Sequence, residues 1–378
     1  IRDLLVTGVQ TCALPIFDLI IANREDLALI LTSEQGKPLA EALGEVDIGA
    51  AYVEFFAEEA RRVYGETIPT QRADARLLAI RQPIGVCGAI TPWNFPNSMI
   101  TRKVSPALAA GCTVVLKPAN ETPLSALALA VLAEKAGVPK GVLNIITGDA
   151  PPIGQVLCEH PAVRFVGFTG STNVGKILYR QAAVGVKKLG LELGGNAPFL
   201  VCEDADLDLV LECAMQAKMR NGGEACIAVN RFIVHESLAG EFTSRLTQRM
   251  AEVTMGNGMD DGVTLGPMIT AKQRDSIAAL VDDARGAGAT VHLGGEMPQG
   301  KGYFYPATVL GDVPSDARIL REEIFGPVLT LQTFADEDQA LALADHPTYG
   351  LCAGVYTRDL SRAIRVTRAV QAGTVWIN

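Results

Sequence analysis

Cys226 lies in Arg220-Asn221-Gly222-Gly223-Glu224-Ala225-Cys226-Ile227-Ala228, after a helix-periodic apolar run and just before the strand-like Arg231-Phe232-Ile233-Val234. Two glycines free the backbone to turn sharply and to expose its N–H groups. Such a loop can hold a sulfur at the mouth of a cleft and offer the cysteine's own N–H to a nearby anion. The competing role is that of a small buried hydrophobe, the commoner fate of a free cysteine. Glu192 closes an apolar strand-like run and is followed by Leu193-Gly194-Gly195-Asn196. Alone, a carboxylate at a strand end is usually a solvated structural acid.

Taken with Thr91-Pro92-Trp93-Asn94-Phe95-Pro96 upstream, the two segments resemble the aldehyde dehydrogenase superfamily, nearly continuously over residues 18–378. The resemblance implies an α/β fold with a Rossmann-type coenzyme domain, an α/β catalytic domain and a small oligomerisation ribbon. It also implies oxidation of an aldehyde by NAD(P)+ through a cysteine thioester. Cys226 is then the nucleophile, and the Asn94 carboxamide with the Cys226 N–H forms the oxyanion hole. Glu192 activates the deacylating water, and Lys103 matches a lysine retained near the site, although a solvated helix lysine competes with that role. Thr91, Pro92, Trp93 and Asn120 fall among the implied coenzyme contacts, with Lys117 on the adenosine ribose and Glu323 and Phe325 on the nicotinamide ribose. A helix-capping acid is the other role open to Glu323.

Phe168-Thr169-Gly170-Ser171-Thr172-Asn173-Val174-Gly175 follows a strand-like run and opens a helical one, so its N–H groups and helix dipole can hold a pyrophosphate. Gly170, Ser171 and Gly175 are its candidate coenzyme residues, in a variant of the dinucleotide fingerprint. Gly256-Asn257-Gly258 with Gly262 is a near miss that follows no strand and reads as a surface loop. Asn120 stands three residues after Lys117, where NAD-preferring relatives often carry glutamate. An amide there does not repel a 2′-phosphate, so NADP is the expected coenzyme, with NAD as the alternative.

Within the superfamily, the segments around Trp93 to Val104 and Gly111 to Pro118 are most similar to succinate-semialdehyde dehydrogenases. That likeness makes Arg102 and Arg220 candidates to hold the substrate's far carboxylate; for each alone, an ordinary salt-bridged arginine is as good a reading. Rival functions are a dehydrogenase for another semialdehyde such as glutarate semialdehyde, or for an uncharged aldehyde. A coenzyme A-acylating relative is disfavoured by Glu192, and a non-catalytic nucleotide-binding or scaffold member by Asn94, Glu192 and Cys226 together. Since Ala228 replaces a second cysteine that some relatives carry, peroxide is expected to give a sulfenic acid at Cys226 and no local disulfide.

The elements that must position these groups follow from the apolar periods. Helical spacing over 18–65 breaks at Gly36-Lys37-Pro38, and strand-like runs follow at 76–81 and 84–90. From residue 97 onward helices and strands alternate, which implies parallel sheets covered on both faces with ligands at the carboxyl ends of the strands. The expected division is a coenzyme domain over 18–65 and 83–194, a ribbon over 66–82 and a catalytic domain over 195–378. Glu192 and Cys226 then flank the domain boundary, a frequent place for active sites.

A net charge of −9 argues against nucleic acid or an anionic membrane as partner. Eight cysteines without a CxxC pair or a zinc-ligand spacing fit a reducing, cytoplasmic setting and no metal. The four isolated histidines give a Ser/His/Asp or Cys/His hydrolase no support. A homodimer or homotetramer is expected of the complete protein. Residues 1–17 show no clean period and read as foreign or disordered, and the chain stops directly after a strand-like run. With both ends reading as cut, the chain as written is expected to aggregate and to be nearly inactive.

Overall fold

Apolar runs that alternate with helices from residue 86 onward collapse into two sheets, each at the centre of its own unit. The computed structural model describes the backbone of residues 2–378 and the side chains of residues 11–378. One unit takes the chain up to Gln35 together with Ala42–Leu193; the other takes Gly36–Glu41 and Gly194–Asn378.

In the first unit, helices α1 (Arg2–Ala22), α2 (Arg24–Gln35) and most of α3 (Leu39–Glu59) lead to a ribbon of β1 (Glu66–Ile68) and β2 (Leu77–Ala79). Then follow β3 (Val86–Ile90), α4 (Ser98–Ala109), β4 (Thr113–Lys117), α5 (Pro123–Lys135), β5 (Leu143–Ile145), α6 (Ala150–Glu159), β6 (Val163–Thr169), α7 (Thr172–Ala183) and β7 (Lys188–Glu192). The strands β3 to β7 form an all-parallel sheet in the order β5-β4-β3-β6-β7. Strand order reverses at β3, which makes the carboxyl edge beside it the switch point where an open α/β sheet binds ligands. Register sets Ile90 opposite both Lys117 and Phe168, and Thr169 opposite Glu192. The loops after β3, β4, β6 and β7 therefore leave from one edge.

The second unit contains β8 (Ala197–Val201), α8 (Leu207–Met219), β9 (Val229–His235), α9 (Glu236–Ala251), α10 (Ala271–Gly286), β10 (Thr290–Leu293) and β11 (Thr308–Gly311). It ends with β12 (Val328–Phe334), α11 (Glu337–Ala344), β13 (Cys352–Tyr356), α12 (Leu360–Ala369) and β14 (Thr374–Ile377). Its seven strands run β10-β11-β12-β9-β8-β13-β14, parallel except where β10 meets β11. Phe199, Phe232 and Phe242 are buried at its core, and Phe199 stacks on Tyr356 with ring centroids 4.2 Å apart.

The sequence reading and the structure differ at three places. Residues 11–17, part of the segment read as foreign or disordered, are helical: α1 continues through them, and Cys12, Ile16 and Ile20, each four residues apart, turn one buried face. Ile1 lies outside the described residues. Gly258, read as part of a surface loop, is buried, and its carbonyl accepts the Leu39 N–H at 2.9 Å; this contact helps place 36–41 in the second unit. Finally, β11 is a fully buried four-residue strand whose short apolar run gives no period to read.

Candidate active site

At the carboxyl edge of the five-stranded sheet, the Thr91 N–H donates to the Lys117 carbonyl at 3.1 Å and ties the ends of β3 and β4 together. Pro92 and Trp93 are half-buried, and Asn94 is buried. Three residues on, the first N–H groups of α4 need acceptors. Those of Asn97 and Ser98 donate to Glu45 Oε1 at 2.8 and 3.1 Å, and Glu45 on α3 is only 2 % exposed. A carboxylate at a helix N-terminus matches the dipole there, so Glu45 fixes the turn that carries Asn94.

On α4, Arg102 Nη2 stands 3.3 Å from Glu192 Oε1, and its guanidinium lies 5.9 Å from the Tyr52 ring centroid. The arginine expected to hold a substrate carboxylate is thus paired with the carboxylate expected to activate water. Both are well exposed, which limits what the pair adds to stability. Lys103 is half-buried, and burial lowers its pKa to about 8; the Glu192 carboxylate acts against that shift and Arg102 adds to it. Arg102, Lys103 and Glu192 are one electrostatic cluster at the end of β7.

Lys117 is buried and folds back on its own loop, donating to the Pro118 carbonyl at 2.9 Å and to Asn120 Oδ1. An ammonium has three donors, so among the described residues a third is left for a ligand. Burial lowers its pKa, opposed by Glu121 and Asp149. The Gly170 N–H donates to the Glu192 carbonyl at 3.0 Å, and the Gly175 N–H donates to the Ser171 carbonyl at 3.0 Å. Ser171 caps α7, its hydroxyl accepting the Val174 N–H at 3.4 Å.

In the second unit, α8 gives way to a 3-10 turn over Arg220–Gly223 in which Asn221 and Gly222 take φ of 53° and 60°. Asn221, left-handed without being glycine, is held there: its N–H donates to Glu41 Oε2 at 2.5 Å and its Nδ2 to the Glu224 carbonyl at 3.1 Å. Glu224 Oε1 accepts the Ile269 N–H at 3.3 Å. Gly223 has φ 76°, and a Cβ there would run into the Gly326 carbonyl. Cys226 emerges half-buried from this loop, while Arg220 is exposed where the loop begins. A Cβ on Gly195 would strike the Cys226 carbonyl, which is why the double glycine after Glu192 tolerates no side chain at its second position.

Glu323 Oε1 accepts the Gly195 N–H at 2.9 Å; burial pushes its pKa up to about 7, and that bond opposes the rise. Phe325 carries φ 53°, and its carbonyl accepts from Gln273 Nε2 at 2.9 Å. Cys352 Sγ lies 3.6 Å from the Ile227 carbonyl as its donor, and burial, with Cys226 adding to it, drives this thiol up to about 12.

Glu45, Glu41, Gln273 and Cys352 were not among the residues predicted from sequence. For Glu45 a signal exists: it falls on the buried face of α3 with Ala42, Val46 and Gly49, where an acid must have donors. The other three carry no local pattern.

A model of the aldehyde dehydrogenase family matches residues 9–378, beginning inside the segment read as foreign. The chain is 50% identical over 362 residues to the NADP(+) succinate-semialdehyde dehydrogenase of Escherichia coli (strain K12), covering 96% of this chain and 75% of that protein. It is 49% identical to a glutarate-semialdehyde dehydrogenase of Pseudomonas aeruginosa, again over 96% of this chain and 75% of that one. A crystal structure of an E. coli NADP-dependent enzyme superposes with a TM-score of 0.97 at 49% identity, over 98% of this chain and 77% of that one. The chain belongs to the aldehyde dehydrogenase family and is an enzyme of that family.

Proposed function

We propose that the chain oxidises succinic semialdehyde to succinate with NADP+, through a thioester on Cys226. One observation carries the reading: the register of the five-stranded sheet sends the loops of Asn94, Lys117, Gly170 and Glu192 from a single carboxyl edge at a switch point. A dinucleotide fits that edge. The N-terminus of α7 suits its diphosphate, and the spare Lys117 donor beside an amide, not a carboxylate, at Asn120 suits a 2′-phosphate. When bound, the coenzyme accepts the hydride.

The thiolate of Cys226 adds to the carbonyl carbon, and the electron pair of the C=O bond moves to oxygen, where the Asn94 carboxamide and the Cys226 N–H stabilise it. Loss of hydride leaves an acyl thioester. Glu192 takes a proton from water as its oxygen attacks that carbonyl; the C–S bond then breaks, releasing the acid and the thiolate. Arg102 pairs with Glu192, which leaves Arg220, exposed where the Cys226 loop begins, as the arginine assigned to a far carboxylate.

The substrate choice draws on the succinate-semialdehyde relative; a five-carbon semialdehyde is the second reading, favoured by the nearly equal identity to the glutarate-semialdehyde relative. Self-association into a dimer or tetramer is supported by the ribbon, which leaves Leu78 and Ile80 exposed. Eight free cysteines suit a reducing cytoplasm. The test is the absorbance of reduced coenzyme with succinic semialdehyde, glutaric semialdehyde and butyraldehyde, each with NADP+ and NAD+. Succinic semialdehyde with NADP+ should give a kcat/KM at least about tenfold above the others. Equal values for butyraldehyde would overturn the substrate assignment.

A further inference from the structure

Helix α8 buries Leu211, Ala214 and Lys218 along one stripe, so a lysine stands where the helical period calls for an apolar residue. Its side chain is fully buried, and its ammonium donates to Asn230 Oδ1 at 3.0 Å. Among the described residues no carboxylate pairs with it, and burial brings its pKa down to about 7. Placing a cation there is costly, and a leucine would fill the same space without that cost.

The position explains what the cost secures. Lys218 lies in the last turn of α8 and Asn230 is the second residue of β9, so the bond closes the base of the loop between them, which carries Cys226. Asn230 is itself anchored: its carbonyl accepts the hydroxyl of Thr330 on β12 at 2.9 Å. At the other end, the Lys218 carbonyl would lie only 3.2 Å from a Cβ on Gly223, so the turn packs directly on the lysine's own backbone. Three left-handed residues stand in succession inside this loop, a backbone conformation that persists only where the surrounding structure holds it.

We infer that Lys218 is a positioning residue for Cys226, its bond to Asn230 holding the two ends of the nucleophile loop at a fixed separation. The role rests on the reading of Cys226 as the nucleophile, and its test uses a readout that does not require turnover.

Lys218→Met fills the space but leaves Asn230 Oδ1 without its donor, whereas Lys218→Met with Asn230→Leu removes both partners and leaves no orphan. In the double variant the thermal midpoint should stay near that of the parent. Amide hydrogen exchange over 221–228 should nonetheless quicken by about tenfold, with α8 and β9 unchanged. Turnover should fall by about tenfold while KM holds within about twofold. Lys218→Gln, which keeps a donor, should recover much of the protection. Unchanged exchange in the loop would overturn the inference, as would a lowered midpoint with exchange and kcat both intact. If no Lys218 variant folds, the lysine serves the whole fold and the positioning role is refuted. If the parent oxidises no aldehyde but its loop still loosens in the variants, the functional reading fails and the tether stands.

Discussion

The loop that carries Asn94 and the loop that carries Cys226 are built on different principles. The first runs from the end of β3 straight into α4, and a single buried carboxylate, Glu45, takes the two N–H groups at the helix start. There the backbone is regular, and a buried charge meets the start of the helix. The second abandons helical geometry for left-handed residues at Asn221, Gly222 and Gly223, and it draws on Glu41, Glu224 and Lys218 for support. A group that only donates a hydrogen bond can ride on a regular element. One proposed to present a sulfur and its own N–H to the same carbonyl stands here on an irregular frame, held by side chains from outside the turn as well as within it.

The largest effect should come from the chemistry of the second loop. Cys226→Ala should lower aldehyde oxidation by about 10⁴-fold or more while coenzyme binding, followed by fluorescence titration, is retained. Substantial residual turnover would remove the nucleophile from this loop and the comparison with it.

Glu45→Gln probes the simpler loop. The amide keeps the shape but loses the charge that faces the start of α4, so kcat should fall about tenfold with a drop of a few degrees in Tm. A loss as large as that of Cys226→Ala would mean that the Asn94 loop is as dependent on its frame as the other.

The two arginines should separate by substrate. Arg220→Ala should raise KM for succinic semialdehyde by about tenfold or more and leave butyraldehyde nearly untouched. Arg102→Ala, which strips Glu192 of its partner, should lower kcat on both aldehydes by a few-fold. Steady-state rates that show Arg102 losing only on the charged substrate would restore it as a carboxylate ligand.

The smallest effect concerns Glu323. Burial raises its pKa from the ordinary 4.5 to about 7, so the folded chain holds this proton more tightly than the unfolded one. Its contribution to stability is complete below about pH 4.5 and is lost as the pH rises through about 7. Glu323→Gln cannot ionise, so its denaturant midpoint should fall less between pH 5 and pH 8 than that of the parent. Parallel profiles would show that the carboxyl is not perturbed as its burial implies.

The same contrast explains what could be read from the sequence. Periodicity locates the alternating elements, and the boundaries of β3, β4, β6 and β7 place Lys117, Gly170 and Glu192 at strand ends, because a buried parallel strand is a continuous apolar run. Motifs point to Asn94 and Cys226. Hidden from any local pattern are contacts between segments far apart in the chain, such as Glu45 with Asn97, Glu41 with Asn221 and Gln273 with Phe325. The part of helix α1 before residue 18 escapes for a different reason: among the described side chains of α1 the buried stripe is one residue wide per turn, at Cys12, Ile16 and Ile20. Pairing of Arg102 with Glu192 is likewise a matter of tertiary register, since they stand 90 positions apart.

The central claim, a thioester on Cys226 cleared by Glu192, is tested most directly by trapping it. Glu192→Gln mixed with succinic semialdehyde and NADP+ should give a burst of about one reduced coenzyme per active site and then stall. Peptide mass spectrometry of the quenched sample should find a succinyl group on Cys226. A burst with the acyl group on another residue, or no hydride transfer at all, would contradict the account.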